Sequence, residues 1–561
     1  MKSLKKIFVL CLLLQFVACS DFLEEKAYSI LRPDSIEDNE SSAKMMIDGA
    51  LSTIGGDLYF QWGIWHRVTN FDGDYETGPD WGMKELGTGN WQSYGDMYRL
   101  WQGPYLLAER ATSAISTIDG MSFDRAKQNH YMGQAYFLRA WAYFNLVQGY
   151  GGVPIFRQTV VQGAEPQQPR ASVQETYDFI VSDLKRAESL MFSKADAEAN
   201  TLARGAAQAL LAKVYLTMAS GALTGAEVTV KGGPAVIPVG GPNDPDEVIA
   251  EPATVTFTKN VVAGHESMDA LAYFDSARVK ARELIDSEEY DLFPTYADVW
   301  KKENRFQVEH IWSLHSIAND AVFRNVVSHE FAGSYKTTTG DELQGAVYGM
   351  RIHWYELFED NDQRITEGVN HRWYQWGAWR MYPLKDTARR HEVDPPYGWT
   401  PDDEALTNTG AMRAILRKFE GVSDRNTENS DFAYPFLRFA DVLLVYAEAE
   451  NEVNGPTTEA YGALDRVRTR SSATAALSMT KQQFRSFVLE ERARELALEG
   501  GRRWDLLRWG IYLQVMNAVD VDENNVIKRR EEKHLLFPLP LGELNANKNL
   551  GGPNNGQNPG W

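Results

Sequence analysis

Cysteine is almost missing from this chain. Its 561 residues include two, Cys11 and Cys19, both among the first twenty. That excludes a disulfide framework, a cysteine-based zinc site, an iron–sulfur cluster and a thiol nucleophile deeper in the chain. Basic charge is also short, with 57 Lys and Arg against 77 Asp and Glu, a formal charge of −20. Nucleic acid needs a basic footprint, and no charge run supplies one. No stretch reaches 18 apolar residues, so no membrane-spanning helix is expected. Familiar catalytic signatures are missing too. His265-Glu266, His329-Glu330 and His391-Glu392 are each followed by the wrong residues for HExxH, and there is no GxSxG elbow and no P-loop. Asp72-x-Asp74-x-Glu76 resembles the start of a calcium loop, but Met83 stands where the closing Glu is required. Glu359-Asp360-x-Asp362 offers neighbouring carboxylates of the kind used in glycoside hydrolysis. They read instead as a solvated helix end. No catalytic residue, cofactor or metal is expected.

What is present is globular. Hydrophobic residues make up 43 % and charged residues 24 %, enough for a large core. At roughly 100–200 residues per domain, the length suits about two to four packing units. Lys2, Lys5 and Lys6 precede an apolar stretch from Ile7 to Val17, which is too short to span a bilayer but suits a signal peptide. Phe16-Val17-Ala18-Cys19 then resembles a lipobox. Residues 1–18 are therefore expected to be a lipoprotein signal peptide, and Cys19 the lipid-attachment site.

Helical periodicity of three and four residues runs over 125–150, 172–191, 201–219, 269–286, 437–452, 458–470 and 480–499. Gly151-Gly152-Val153-Pro154 stops the first of these, and Asn454-Gly455-Pro456 makes a tight turn between two others. Paired Ala-rich helices suggest degenerate tetratricopeptide-like hairpins. A mostly α fold is expected: a scaffold from 40–220, 266–290 and 437–512, a loop insertion with short strands at 223–264, and an irregular, ligand-facing subdomain at 300–435. Glu490-Glu491-x-x-Arg494 and Arg502-Arg503-x-Asp505 read as ion pairs that join the last helices.

Tryptophan is unevenly placed. Trp62, Trp65, Trp81, Trp91 and Trp101 fill one short window, and Trp354, Trp373, Trp376, Trp379 and Trp399 another, so ten of 16 lie in two segments. Gly and Pro break the first. Loop-borne rings beside Asn70, Asp72, Asp74, Gln92 and Arg380 suit a ligand with an apolar face and a hydroxyl rim, which describes a sugar. Trp65 and Trp81 are the choices from the first window, because Gly63, Gly78 and Pro79 put them on turns. Trp373 and Trp376 are the choices from the second. Asp72 and Asp74 are expected to accept hydroxyl hydrogen bonds at the rim.

A series of motifs runs almost end to end. Cys19-Ser20-Asp21-Phe22-Leu23-Glu24 is followed by Trp101-x-x-x-Tyr105, by 135–144 (Ala-Tyr-Phe-Leu-Arg-Ala-Trp-Ala-Tyr-Phe) and by Tyr150-Gly151-Gly152-Val153-Pro154. Asp362-x-Arg364, Lys418-Phe419, Leu437-Arg438-Phe439-Ala440-Asp441 and Tyr446-Ala447-Glu448-Ala449 come next. Glu490-Glu491-Arg492-x-x-Glu495-Leu496-x-x-Glu499-Gly500, Arg503-x-Asp505-Leu506-x-Arg508, Phe537-Pro538-Leu539-Pro540 and Gln557-Asn558-Pro559-Gly560-Trp561 close the series. In this order the motifs resemble the SusD/RagB family of Bacteroidetes outer-membrane lipoproteins. The resemblance implies tetratricopeptide-like hairpins carrying an irregular subdomain, and non-catalytic nutrient capture at the cell surface. It also implies a lipid anchor in the outer membrane, a SusC-like TonB-dependent transporter as partner, and an oligosaccharide, polysaccharide or sometimes peptide ligand. The two Trp windows favour a glycan. The alternatives are a peptide-binding, RagB-like lipoprotein and an all-helical glycoside hydrolase.

Overall fold

The computed structural model describes residues 36–58, 60–83, 85–235, 253–320, 323–335, 343–375, 378–382, 409–410 and 413–561. Cys19, the whole leader and Trp376 lie outside these residues.

Helices dominate. The first half contains α1 (Glu40–Thr53), α2 (Phe60–Phe71), the one-turn α3 (Asp80–Met83), α4 (Arg99–Asp119), α5 (Arg125–Tyr150), α6 (Val173–Leu190), α7 (Arg204–Ala222) and α8 (Ala270–Asp286). After the irregular region come α9 (Phe439–Asn454), α10 (Thr458–Arg470), α11 (Lys481–Glu495), α12 (Arg502–Arg508) and α13 (Tyr512–Val519). The mostly α class expected from the periodicity is the one observed.

Local chemistry sets several of the ends. Asp124 caps α5 by accepting from the Lys127 N–H, while Ser172 with Glu175 and Thr480 with Gln483 form capping boxes on α6 and α11. Gly151, at φ 74°, ends α5 where a side chain would be strained. α11 stops at Glu495, four residues before the periodicity ends, because the chain turns through Leu498 (φ 58°) and Gly500 (φ 76°). That turn aims Glu499 at Arg438 and Lys418.

Neighbouring helices pack in series: α4 on α5, α5 on α6, α6 on α7, α7 on α8 and α9 on α10. α8 also packs on α9, although the irregular region separates them in sequence. α5 is therefore covered on nearly every face, and its core residues Ala135, Phe137, Leu138, Ala140 and Tyr143 are fully buried. Strands are short and scattered. Glu227–Gly232 pairs antiparallel with Ala253–Thr258, His310–Ser313 with Pro435–Arg438, and Arg372–Gln375 with Ala378–Met381. The two-residue strand Glu76–Thr77 pairs with Gly349–Met350, tying the first tryptophan window to the irregular region.

A buried ion network joins these parts. The Arg364 guanidinium meets Asp362 at 2.7 Å and Glu495 at 3.3 Å, and also pairs with Glu491. Arg438 pairs with Glu309, Glu495 and Glu499, Arg470 with Glu309 and Glu495, and Lys418 with Glu499. Further along α11 and α12, Arg492 binds Asp441 and Asp505, and Arg508 binds Glu448 and Asp505. Of the ion pairs expected within 490–505, those from Arg494 to Glu490 and Glu491 are present, whereas Arg502 and Arg503 turn to Asp74 and Asp72 and leave Asp505 to Arg492 and Arg508. Burial pushes the Glu495 carboxyl up, but Arg470, Arg438 and Arg364 outweigh it and hold the group well below the usual carboxylate range. Asp362, which the sequence suggests is solvated, is 1 % exposed and caps its own short helix while binding Arg364. Most of the charged motif residues that carry the family resemblance belong to this network.

Candidate ligand-binding site

The acidic residues of the first tryptophan window face inward. Asp72 is fully buried. It binds Arg530 at 2.7 Å, accepts the Tyr512 hydroxyl at 2.6 Å and pairs with Arg503. Burial raises its carboxyl and the Arg530 and Arg503 charges bring it back below the ordinary range. Asp74 is held by the Arg502 fork, two contacts of 2.7 Å each. Neither reaches solvent, so the expectation that they form a hydroxyl-accepting rim is corrected: both are spent on arginines more than 400 residues away in sequence. Asn70 is also buried, accepting from the Gly500 N–H at 2.8 Å. Glu76 follows, its carboxyl pushed up to about 8, first by burial and then by the nearby Asp74.

Most of the described tryptophans are packing residues. Trp91 is buried edge-on to Phe537 and His534, and its Nε1–H donates to Leu86 O at 3.1 Å. Trp101 packs against Tyr105 and Tyr150. Trp354 donates to Ala493 O at 2.8 Å. Trp373 is 2 % exposed on its strand and is corrected from stacking platform to core. Trp65 lies on α2 and not on a turn, half-buried, with its ring stacked on Trp504 at 6.4 Å and edge-on to Trp141. The glycine at position 63 is simply inside the helix. Trp376 lies outside the described residues.

Trp81 is different. At 66 % exposed it stands on α3, a single turn entered through Gly78-Pro79. Beneath that turn lies Tyr348, whose hydroxyl donates to Gly82 O at 3.1 Å. The Tyr348 ring lies against Phe71, with centroids 4.0 Å apart, and under the Arg67 guanidinium at 5.7 Å. Arg67 in turn forms a fork to Glu330, with Nε 2.9 Å from Oε2, and its charge bears on the half-buried Tyr94 hydroxyl, which burial pushes up. Glu330 and Tyr348 are buried, whereas Arg67 keeps 13 % of its side chain exposed and Tyr94 is half-buried, so Arg67 and Tyr94 are the polar groups of this cluster that reach the surface. Arg67, Tyr94, Glu330 and Tyr348 were not legible as site residues. Arg67 and Glu330 are 263 positions apart, and only the fold brings them together. Among the described residues no group of three or more His, Cys, Asp or Glu side chains is placed to hold a metal ion. No described helix is long and apolar enough to cross a membrane.

The architecture has counterparts among known proteins. Residues 298–561 match the model of the SusD family, and residues 21–216 match a second one described as "Starch-binding associating with outer membrane". The chain is a SusD-like family protein. It is 25 % identical to SusD-like protein P2 of Formosa agariphila over the whole of both chains. Its fold is similar to that of a SusD homolog from Bacteroides thetaiotaomicron, with TM-score 0.72 and 21 % identity, covering 94 % of this chain and 98 % of that one. It is also similar to surface glycan-binding protein A from Bacteroides thetaiotaomicron, solved in complex with laminarihexaose, with TM-score 0.64 and 17 % identity over 92 % and 99 % of the two chains.

Proposed function

We propose that this SusD-like protein is a non-catalytic glycan-binding lipoprotein of the outer-membrane surface, tethered through Cys19. It captures an oligosaccharide or polysaccharide and passes it to a SusC-like TonB-dependent transporter. The outward Trp81 indole, on a turn seated on Tyr348 and so on the cluster that holds the partly exposed Arg67 and Tyr94, is the observation that carries this reading. A flat, rigid ring covers the apolar face of a sugar at little entropic cost, and the neighbouring polar groups hydrogen-bond its hydroxyls. Trp376 is proposed as a second stacking ring. A relative named for starch binding and a structural neighbour solved with a bound glucan oligosaccharide support a glycan over a peptide. The carboxylates at 359–362 give no support to a hydrolase, since Glu359 is engaged by Arg468 and Thr474, and Asp362 by Arg364.

The test is retention of the soluble protein in native gels that contain single polysaccharides, with product analysis on the same mixtures. Retention by at least one glycan, without released sugar, is expected. Sustained release of product, or binding to peptides alone, would overturn the proposal.

A further inference from the structure

The α3 helix is a single turn, and one turn does not hold itself in water. Something outside it must fix the direction of Trp81. The structure assigns that task to Tyr348: it is the positioning residue that keeps the Trp81 indole outward, through its hydroxyl on Gly82 O and its ring beneath Gly78 and Gly82. The inference rests on the reading of Trp81 as the ligand ring, but its test does not need a ligand.

Three observations carry it. First, the fit between turn and ring is tight. A Cβ built at Gly78 would lie 2.6 Å from Tyr348 Cδ1, and one built at Gly82 would lie 3.0 Å from the Tyr348 hydroxyl oxygen. The two glycines that bracket Trp81 are thus the places where the turn rests on the tyrosine. Second, Tyr348 is itself fixed. It is 3 % exposed, packed between Phe71 and Phe331, with the Arg67 guanidinium over its ring. The backbone beside it is locked by Val347 N–H on Glu330 O at 2.8 Å and by the Gly349–Thr77 strand pair. Third, the hydroxyl bond is the link between this rigid seat and the turn, because it lands on the residue next to Trp81. Losing it removes the side-chain donor from the partly exposed Gly82 carbonyl, which water can then reach, and frees the turn to rotate.

The experiment is ¹⁹F NMR of the soluble protein labelled with 5-fluorotryptophan, with the Trp81 line assigned from Trp81→Phe. Tyr348→Phe keeps the ring and removes only the hydroxyl. It is expected to shift or split the Trp81 line by more than its width while the buried Trp91 and Trp354 lines and the melting temperature stay in place. Gly82→Ala disturbs the seat from the opposite side and is expected to move the same line. Tyr105→Phe, which removes a hydroxyl bonded to Pro154 O on another part of the fold, serves as the control and should leave it unmoved. An unmoved Trp81 line in both Tyr348→Phe and Gly82→Ala overturns the assignment. So does an equal disturbance of every tryptophan line, which would mean general loosening. If the line moves yet no polysaccharide binds, the positioning role stands and the glycan reading fails.

Discussion

Replacing Glu495 by Gln probes the polar core at its most connected point. The Glu495 side chain is fully buried and is shared by Arg470 at 2.6 Å, Arg438 at 3.0 Å and Arg364 at 3.3 Å. Removing one partner of a buried ion pair costs about 3–5 kcal/mol, because the other charge is left behind without compensation. Here each arginine keeps another carboxylate: Glu309 for Arg470, Glu309 and Glu499 for Arg438, and Asp362 and Glu491 for Arg364. The loss should therefore fall near the lower end, about 3 kcal/mol. Its pH dependence has a definite sign. The folded-state pKa lies well below the ordinary value of 4.5, so the carboxylate's contribution is complete above pH 4.5 and is lost as pH falls toward the folded value. Urea unfolding of both proteins at pH 7.5 and over pH 5 to 3 checks this. The variant should be weaker at pH 7.5, and the gap should close in acid. A variant as stable as the parent at pH 7.5, with the same acid profile, would refute the reasoning.

Asp72→Asn leaves Arg503 and Arg530 facing a neutral group in a fully buried site and should lower stability by about 3–5 kcal/mol, read from urea midpoints. Glu76→Gln should behave in the opposite way to Glu495→Gln. With its carboxyl raised from 4.5 to about 8, Glu76 contributes its full stability below pH 4.5 and loses it as pH rises through 8, so above pH 8 the Gln variant should melt higher than the parent. Trp373→Ala should lower stability by about 3–5 kcal/mol through the cavity it leaves, seen as early melting. Cys19→Ala should move the protein from the membrane fraction to the soluble fraction and abolish palmitate labelling, since acyl chains hold such a protein at about 0.8 kcal/mol per buried CH₂.

Local signals carried much of the fold. The helix at 125–150 is written in apolar spacing with a Gly/Pro stop, and α5 has those same ends. The turn at Asn454-Gly455-Pro456 likewise joins α9 to α10. Two-residue strands such as Glu76–Thr77 and Gly349–Met350 have no comparable signature, since each is defined only by a partner far along the chain. The exposure of Trp81 was legible from Gly78 and Pro79 beside it, and its surroundings were misread. Clustering of tryptophan in sequence looked like a surface, whereas Trp91 packs on Phe537 and Trp561 near the C-terminus. Acid next to tryptophan looked like a polar rim, whereas Arg502 and Arg503 had claimed Asp74 and Asp72. Side chains two residues apart on an irregular segment need not share a face, and long-range charge pairing leaves no mark at either end alone. Most charged residues of the motifs that carry the family resemblance are buried in the ion network, away from solvent, so they say little about the ligand.

Isothermal titration of a polysaccharide that retains the protein, against the parent and Trp81→Ala side by side, is the decisive measurement. Loss of a desolvated stacking ring should weaken binding by about 2 kcal/mol or more, roughly thirtyfold, with an unchanged melting temperature, because the indole is outside the core. Full affinity in Trp81→Ala, with the protein intact, would contradict the assignment of Trp81 as the ring that holds the glycan.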